Sequence, residues 1–174
     1  MESDIIKEYK RLISRQSEIY SLLQTLPKGY ISKKSINGKN YYYRQYRTGS
    51  SVSSHFIKSE QVSDLSKQMA MRKQLEEEKK TISCRISELE KAGSMISRSL
   101  YQKMRRVKLS EAMDTLSLQQ RERSLSFSDA LTAIEGVPVS EEAKQHQIDW
   151  KNGKITFDTL LTDTLIRYGF PVGG

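Results

Sequence analysis

The stretch Ile36-Asn37-Gly38-Lys39-Asn40-Tyr41-Tyr42-Tyr43-Arg44-Gln45-Tyr46-Arg47 decides how this chain is read. Asn-Gly favours a two-residue type I′ turn, because both central residues of that turn need positive φ. The aromatic run behind it has the composition of a strand. Tyr30-Ile31-Ser32 lies before the turn, and Thr48-Gly49-Ser50 makes a second turn ahead of Val52-Ser53-Ser54-His55-Phe56-Ile57. The pattern predicts a three-stranded antiparallel meander within residues 28–58.

Both flanks are helical. Ile5, Tyr9, Leu12, Gln16, Ile19, Leu23 and Leu26 recur at spacings of four and three, a heptad seam. Ser3 or Asp4 is placed to cap that helix, and Pro27 and Gly29 end it. After the meander, Val62, Leu65 and Met69 start a second apolar stripe, which Leu75, Ile82, Ile86 and Leu89 continue. Ile96, Leu100, Met104 and Val107 extend it beyond Gly93-Ser94, where a bend is expected. The simplest arrangement packs the second helix antiparallel on residues 4–26.

Residues 119–125 are polar and read as a linker. Three short helices are expected after it. Ser126 is placed to cap the first, with Gly136 and Pro138 at its end. Ser140 caps the second, with Glu141 and Glu142 in its first turn and Gly153 after it. Thr156 caps the third, whose apolar positions are Phe157, Leu160, Leu161, Leu165 and Tyr168, and Gly169 and Pro171 stop it. About 45 residues bury little core alone, so this module is expected to complete its fold on a partner. The fold class is mainly α: long antiparallel coiled-coil helices, a small three-stranded antiparallel β-meander and a C-terminal three-helix module. Its divisions are residues 1–118, a linker at 119–125 and the module at 126–174.

Charge is uneven along the 174 residues. Residues 1–111 carry 23 Lys+Arg and 12 Asp+Glu, and residues 112–174 carry 6 and 9. The chain has one cysteine, Cys84, which fits a reducing compartment. No apolar run approaches the roughly 20 residues that cross a bilayer, and the acidic N-terminus has no signal-peptide core. The expectation is a cytoplasmic protein without a membrane partner.

No constellation points to catalysis. His55 and His146 form no H-x-x-x-H pair, Cys84 has no activating neighbour at fixed spacing, and no Gly-rich phosphate loop occurs. No enzyme activity, metal or cofactor is expected. Residues 28–58 instead interleave cations with five tyrosines and contain no acid. Strand alternation puts Tyr41, Tyr43 and Gln45 on one face and Tyr42, Arg44 and Tyr46 on the other. The second face is read as the one offered to a partner, and Lys33, Lys34, Lys39 and Arg47 are added as candidate contacts. Rings and cations suit DNA or RNA, whose bases stack and whose phosphates attract charge. Tyr and Arg also suit a protein contact.

A further signal lies at Ala133-Ile134-Glu135-Gly136, followed by Ser140-Glu141-Glu142 and by Trp150-Lys151-Asn152-Gly153-Lys154-Ile155. Over Ser128 to Tyr168 the chain resembles the VbhA-type antitoxins, which inhibit Fic adenylyltransferases. The resemblance implies a cognate toxin enzyme as partner, bound through Leu131, Ile134, Glu135, Gly136 and Trp150. The family's inhibitory helix carries [S/T]-x-x-x-E-[G/N], whose glutamate pairs with an arginine of the Fic motif and obstructs the ATP γ-phosphate. By that likeness Glu135 and Gly136 match the end of the motif. The Ser/Thr position falls on Leu131, which cannot donate a hydrogen bond. Leu26-Pro27-Lys28-Gly29-Tyr30 and the Tyr-rich hairpin also look like a recurring class of uncharacterised bacterial proteins.

Three functional expectations follow. One is an antitoxin-like inhibitor acting through the C-terminal helices, another a nucleic-acid binder using the hairpin. The third is a coiled-coil assembly subunit, a homo-oligomer paired through the seam of residues 4–26.

Overall fold

The computed structural model describes residues 2–136 and 139–170. Nine elements run in the order α1 (Glu2–Thr25), β1 (Tyr30–Ile36), β2 (Lys39–Thr48), β3 (Ser51–Ile57), α2 (Ser59–Ile96), α3 (Arg98–Asp114), α4 (Leu118–Ile134), α5 (Glu141–Lys151) and α6 (Phe157–Arg167) among the described residues. The protein is therefore mainly helical with one small antiparallel sheet, as the periodicity predicts. Met1, Pro138 and Pro171 lie outside the described residues, so the helix stops assigned to the two prolines do as well. Ser3 and Asp4 sit inside the first turn of α1, not before it.

The chain divides into two compact units, Glu18–Arg85 and Met1–Ser17 with Ile86–Gly174. In the first, the strands form a meander in the order β1-β2-β3. Asn37 and Gly38 have φ of 49° and 76°, which is the left-handed pair a type I′ turn demands. That two-residue turn sets the register Ile36↔Lys39 through Tyr30↔Gln45. Gly29 has φ of 103°, and a Cβ there would collide with the Gln45 carbonyl. Only glycine lets the chain leave α1 so close to β2. In the same unit α1 and α2 run antiparallel. Lys79 lies over the Tyr20 ring, and Arg72 donates to the carbonyls of Leu23 (2.7 Å) and Leu26 (2.8 Å). Terminal carbonyls of a helix have no partner within it, and α1 has no basic residue in its last turn. Arg72, itself paired with Glu76 at 2.8 Å, supplies that role from α2.

In the second unit Tyr9 of the α1 seam, Ile86 and Leu89 of α2, and Leu100 and Met104 of α3 are buried. Ile13 is buried as well, off the seam read from the sequence. The Tyr9 hydroxyl donates to Glu90 Oε1 at 2.7 Å, and Lys108 Nζ donates to the same oxygen at 2.8 Å. One carboxylate thus ties α1, α2 and α3 together. Burial opposes ionisation of Glu90, yet the hydrogen bonds from Lys108 and Tyr9 outweigh it and hold the carboxyl below its usual range. Burial, reinforced by Glu90, pushes the Tyr9 phenol well above its ordinary value.

The expected bend at Gly93-Ser94 lies a little later. Helix α2 continues through Gly93 to Ile96, and Ser97 caps α3 by accepting from the Leu100 N–H. Gly93 serves close packing instead, since a Cβ there would sit 2.5 Å from Met104 Sδ. The missing side chain lets α3 fold back closely along the end of α2.

The linker expected at 119–125 is helix. Ser117 and Gln120 form a reciprocal capping box, so α4 starts at Leu118 and Ser126 lies inside it. The polar residues read as a linker include Arg121, which ties the neighbourhood together. Its guanidinium donates to the carbonyls of Trp150 (2.7 Å), Leu116 (3.2 Å) and Asp114. Nor is 126–174 a body of its own. Asp114, the last residue of α3, accepts from Trp150 Nε1 at 3.0 Å and from the Phe157 N–H at 2.8 Å. The end of α5 and the start of α6 are therefore fixed to α3. Arg106 adds a 2.6 Å ion pair with Asp158 in the first turn of α6.

Candidate functional site

Two surfaces carry the residues singled out in the sequence. The first is the C-terminal half of α4. This helix has no buried residue. Its N-terminal half leans on α5, where Lys151 pairs with Glu122 at 3.6 Å. From Ser126 onward nearly every side chain is exposed. Phe127 (68% exposed), Leu131 (44%) and Ile134 (82%) are spaced by four and three, so they share one side of the helix. An apolar stripe of that kind normally faces a core; here it faces solvent.

Glu135 is the C-cap residue, its N–H bonded to the Leu131 carbonyl, while the Gly136 N–H bonds to the Ala133 carbonyl. Gly136 follows with φ of 68°, the left-handed C′ position expected of it. A carboxylate at a helix C-terminus faces the negative end of the helix dipole, at a cost of about 0.3–1 kcal/mol. Among the described residues no hydrogen-bond or ion-pair partner offsets that cost for the Glu135 side chain. Thr132, beside the position where the resemblance wants a hydroxyl, spends its Oγ1 on the Ser128 and Asp129 carbonyls at 3.2 and 3.0 Å.

Trp150 is not on this surface. Its indole is 1% exposed, set edge-on to Phe157 at 5.4 Å, beneath the Arg121 guanidinium, with its N–H on Asp114. Its place among the partner-contacting residues is corrected: the ring is spent on holding α5 and α6 to α3. Asp114 and Arg121, which do the holding, carry no signal in the sequence because their partners lie as far as 43 residues away.

The second surface is the sheet, and here the expected face is reversed. Directly paired residues of an antiparallel sheet share a face. Tyr42 pairs with Ile57, Arg44 with His55 and Tyr46 with Ser53. Ile57 is buried, and the Arg44 Nε is buried without a hydrogen-bond partner. Arg44, His55 and Ile57 line a groove closed by Glu60, Asp64 and Leu65 of α2. Tyr46 stacks on His55 at 5.5 Å and carries Arg44 over its ring at 4.5 Å. Tyr42, Arg44 and Tyr46 thus face α2, and Lys33, paired with Tyr42, is on that side of the edge strand. Period-two alternation sorts the tyrosines into two sets, but the burial of Ile57 decides which set turns inward.

The outward face carries Tyr30, Tyr41, Tyr43 and Phe56. Phe56 is 59% exposed and contacts Tyr43 edge-on at 5.9 Å and Tyr41 at 6.5 Å. Lys34 lies 5.2 Å from the Tyr43 ring centre, and the Tyr30 hydroxyl donates to Gln45 at 2.5 Å. Of the cations expected at a contact, Lys34, Lys39 and Arg47 share this face. Arg47 and Tyr30 also reach an open groove lined by Lys28 and Lys73.

The described residues contain no group of three or more His, Cys, Asp or Glu side chains that could hold a metal, and none of their helices is long and apolar enough to cross a membrane. A family model described as a domain of unknown function (DUF6788) matches residues 2–67, which span α1, the meander and the start of α2. No curated protein and no solved structure matches the chain.

Proposed function

We propose that this protein is an antitoxin-like inhibitor that docks on a toxin enzyme through the end of α4. The observation that carries the reading is the solvent-facing stripe Phe127, Leu131 and Ile134, ending in the carboxylate of Glu135, which is unpaired among the described residues. Recognition by an amphipathic helix laid in a groove uses anchors at this spacing. An arginine on the partner would both relieve the C-terminal carboxylate and bind it through two parallel hydrogen bonds. The likeness of residues 128–168 to VbhA-type antitoxins gives the partner class, a Fic-type adenylyltransferase, and gives Glu135 the obstructing role. With Leu131 in the hydroxyl position, the apolar stripe takes over part of the docking, and the carboxylate alone faces the active site.

The test is adenylyl transfer by a Fic-type enzyme encoded in the same genome, with this protein added in excess. Inhibition by the wild type, relieved by Glu135→Gly and by Leu131→Asp, is the expected result. An enzyme that stays fully active under excess inhibitor overturns the reading.

A further inference from the structure

We infer that the outward face of the meander is a binding site for single-stranded nucleic acid, separate from the end of α4. Four rings stand on one side of the sheet, Tyr30, Tyr41, Tyr43 and Phe56, and the two measured contacts among them are edge-on or tilted. Edge-on and tilted contacts do not cover the ring faces, although Lys34 stands over one side of Tyr43, and a base can stack on an open face whatever its identity. Phe56 and Tyr30 are each 59% exposed, a large aromatic exposure for so small a sheet.

Charge selects the occupant. Residues 28–58 hold seven Lys or Arg and no Asp or Glu. Lys34, Lys39 and Arg47 border the rings on the outward face itself. A protein partner is the weaker match. Protein interfaces are enriched in Arg and depleted in Lys, whereas five of the seven cations are lysines and one arginine, Arg44, is turned toward α2. A polyanion asks only for positive charge along its track. Duplexes keep their bases stacked inside, so the rings would go unused; a single strand offers both phosphates and free bases.

The experiment uses the full chain and labelled oligonucleotides of about 12 nucleotides, oligo(dT), oligo(U) and a duplex, read by fluorescence anisotropy. Single strands are expected to bind more tightly than the duplex. Log affinity should fall with log salt at a slope of about −2, from three cations at about −0.7 each. Equal binding of oligo(dT) and oligo(U) assigns recognition to stacking and phosphates; preference for oligo(U) adds the 2′-hydroxyl, and both outcomes support the site. Tyr43→Ala and Phe56→Ala should each weaken binding about tenfold or more. The double charge reversal Lys34→Glu with Arg47→Glu touches no buried group, and it should flatten the salt slope while circular dichroism stays unchanged. The proposal is overturned if no oligonucleotide binds at about 50 mM salt. It is equally overturned if the duplex binds as well as the single strands, or if the charge reversal leaves affinity intact.

Discussion

Helices α3 and α4 are both 17 residues long and follow one another in the chain, but they are built for opposite ends. Helix α3 buries Leu100 and Met104 completely, fits its Met104 into the notch left by Gly93, and ends on Asp114, which receives two N–H donors. Helix α4 buries nothing, and the apolar residues of its C-terminal half look outward. The same local chemistry, an apolar stripe at spacings of three and four, serves cohesion in one and display in the other. What separates them is whether the described residues provide a covering surface.

The contrast can be broken most severely at α3. Leu100→Ala removes a fully buried side chain, with an expected loss of about 2–5 kcal/mol, measured by urea unfolding. Next comes Asp114→Ala, which leaves the Trp150 indole N–H and the Phe157 N–H without their acceptor. A loss of about 1–3 kcal/mol is expected, together with a change in Trp150 fluorescence as the ring gains access to water.

The pH dependence sharpens the same side of the comparison with a smaller effect. Tyr9 is held neutral in the folded protein, so its contribution is complete below the phenol's ordinary pKa of 10.0 and fades as pH rises beyond it. Glu90 is held charged, so its contribution is complete at neutral pH and fades as pH falls through its lowered folded value. Thermal melting at a series of pH values should therefore show a plateau at neutral pH with a decline at both ends. Tyr9→Phe should remove most of the alkaline decline. The smallest stability change belongs to α4. Ile134→Ser alters a side chain that is 82% exposed, and unfolding should shift by no more than about 0.5 kcal/mol. On the proposed antitoxin reading, inhibition of a Fic-type enzyme should nevertheless suffer; a substitution that unfolds the protein at this site would mean that the stripe is structural after all.

Much of the fold was legible in local pattern. The Asn37-Gly38 turn, the meander, and the seam positions Tyr9, Ile19, Leu23, Leu75, Ile82, Ile86 and Leu89 follow from turn chemistry and periodicity. Ser117 and Gln120 carried a readable start signal for α4 that the polar composition after them obscured. Long-range polar pairings were not legible. The acceptor role of Asp114 and the triple donation by Arg121 depend on carbonyls and N–H groups brought together only by folding. The sheet's faces were half legible: alternation divides the tyrosines, while orientation depends on a single buried isoleucine. At the candidate inhibitory end, Glu135 and Gly136 occupy the helix terminus that the sequence assigns them, whereas Trp150 does not share their surface.

The Asn37-Gly38 turn has one more consequence. Its two-residue length counts off the pairing of β1 with β2, and a strand shifted by a single residue presents its opposite side. A one-residue slip of β1 against β2 would roll β1 over, turning Ile31 toward water and Lys34 toward α2. The length of a hairpin loop, with no side chain altered, thereby sets which chemistry the edge of this sheet shows to the outside.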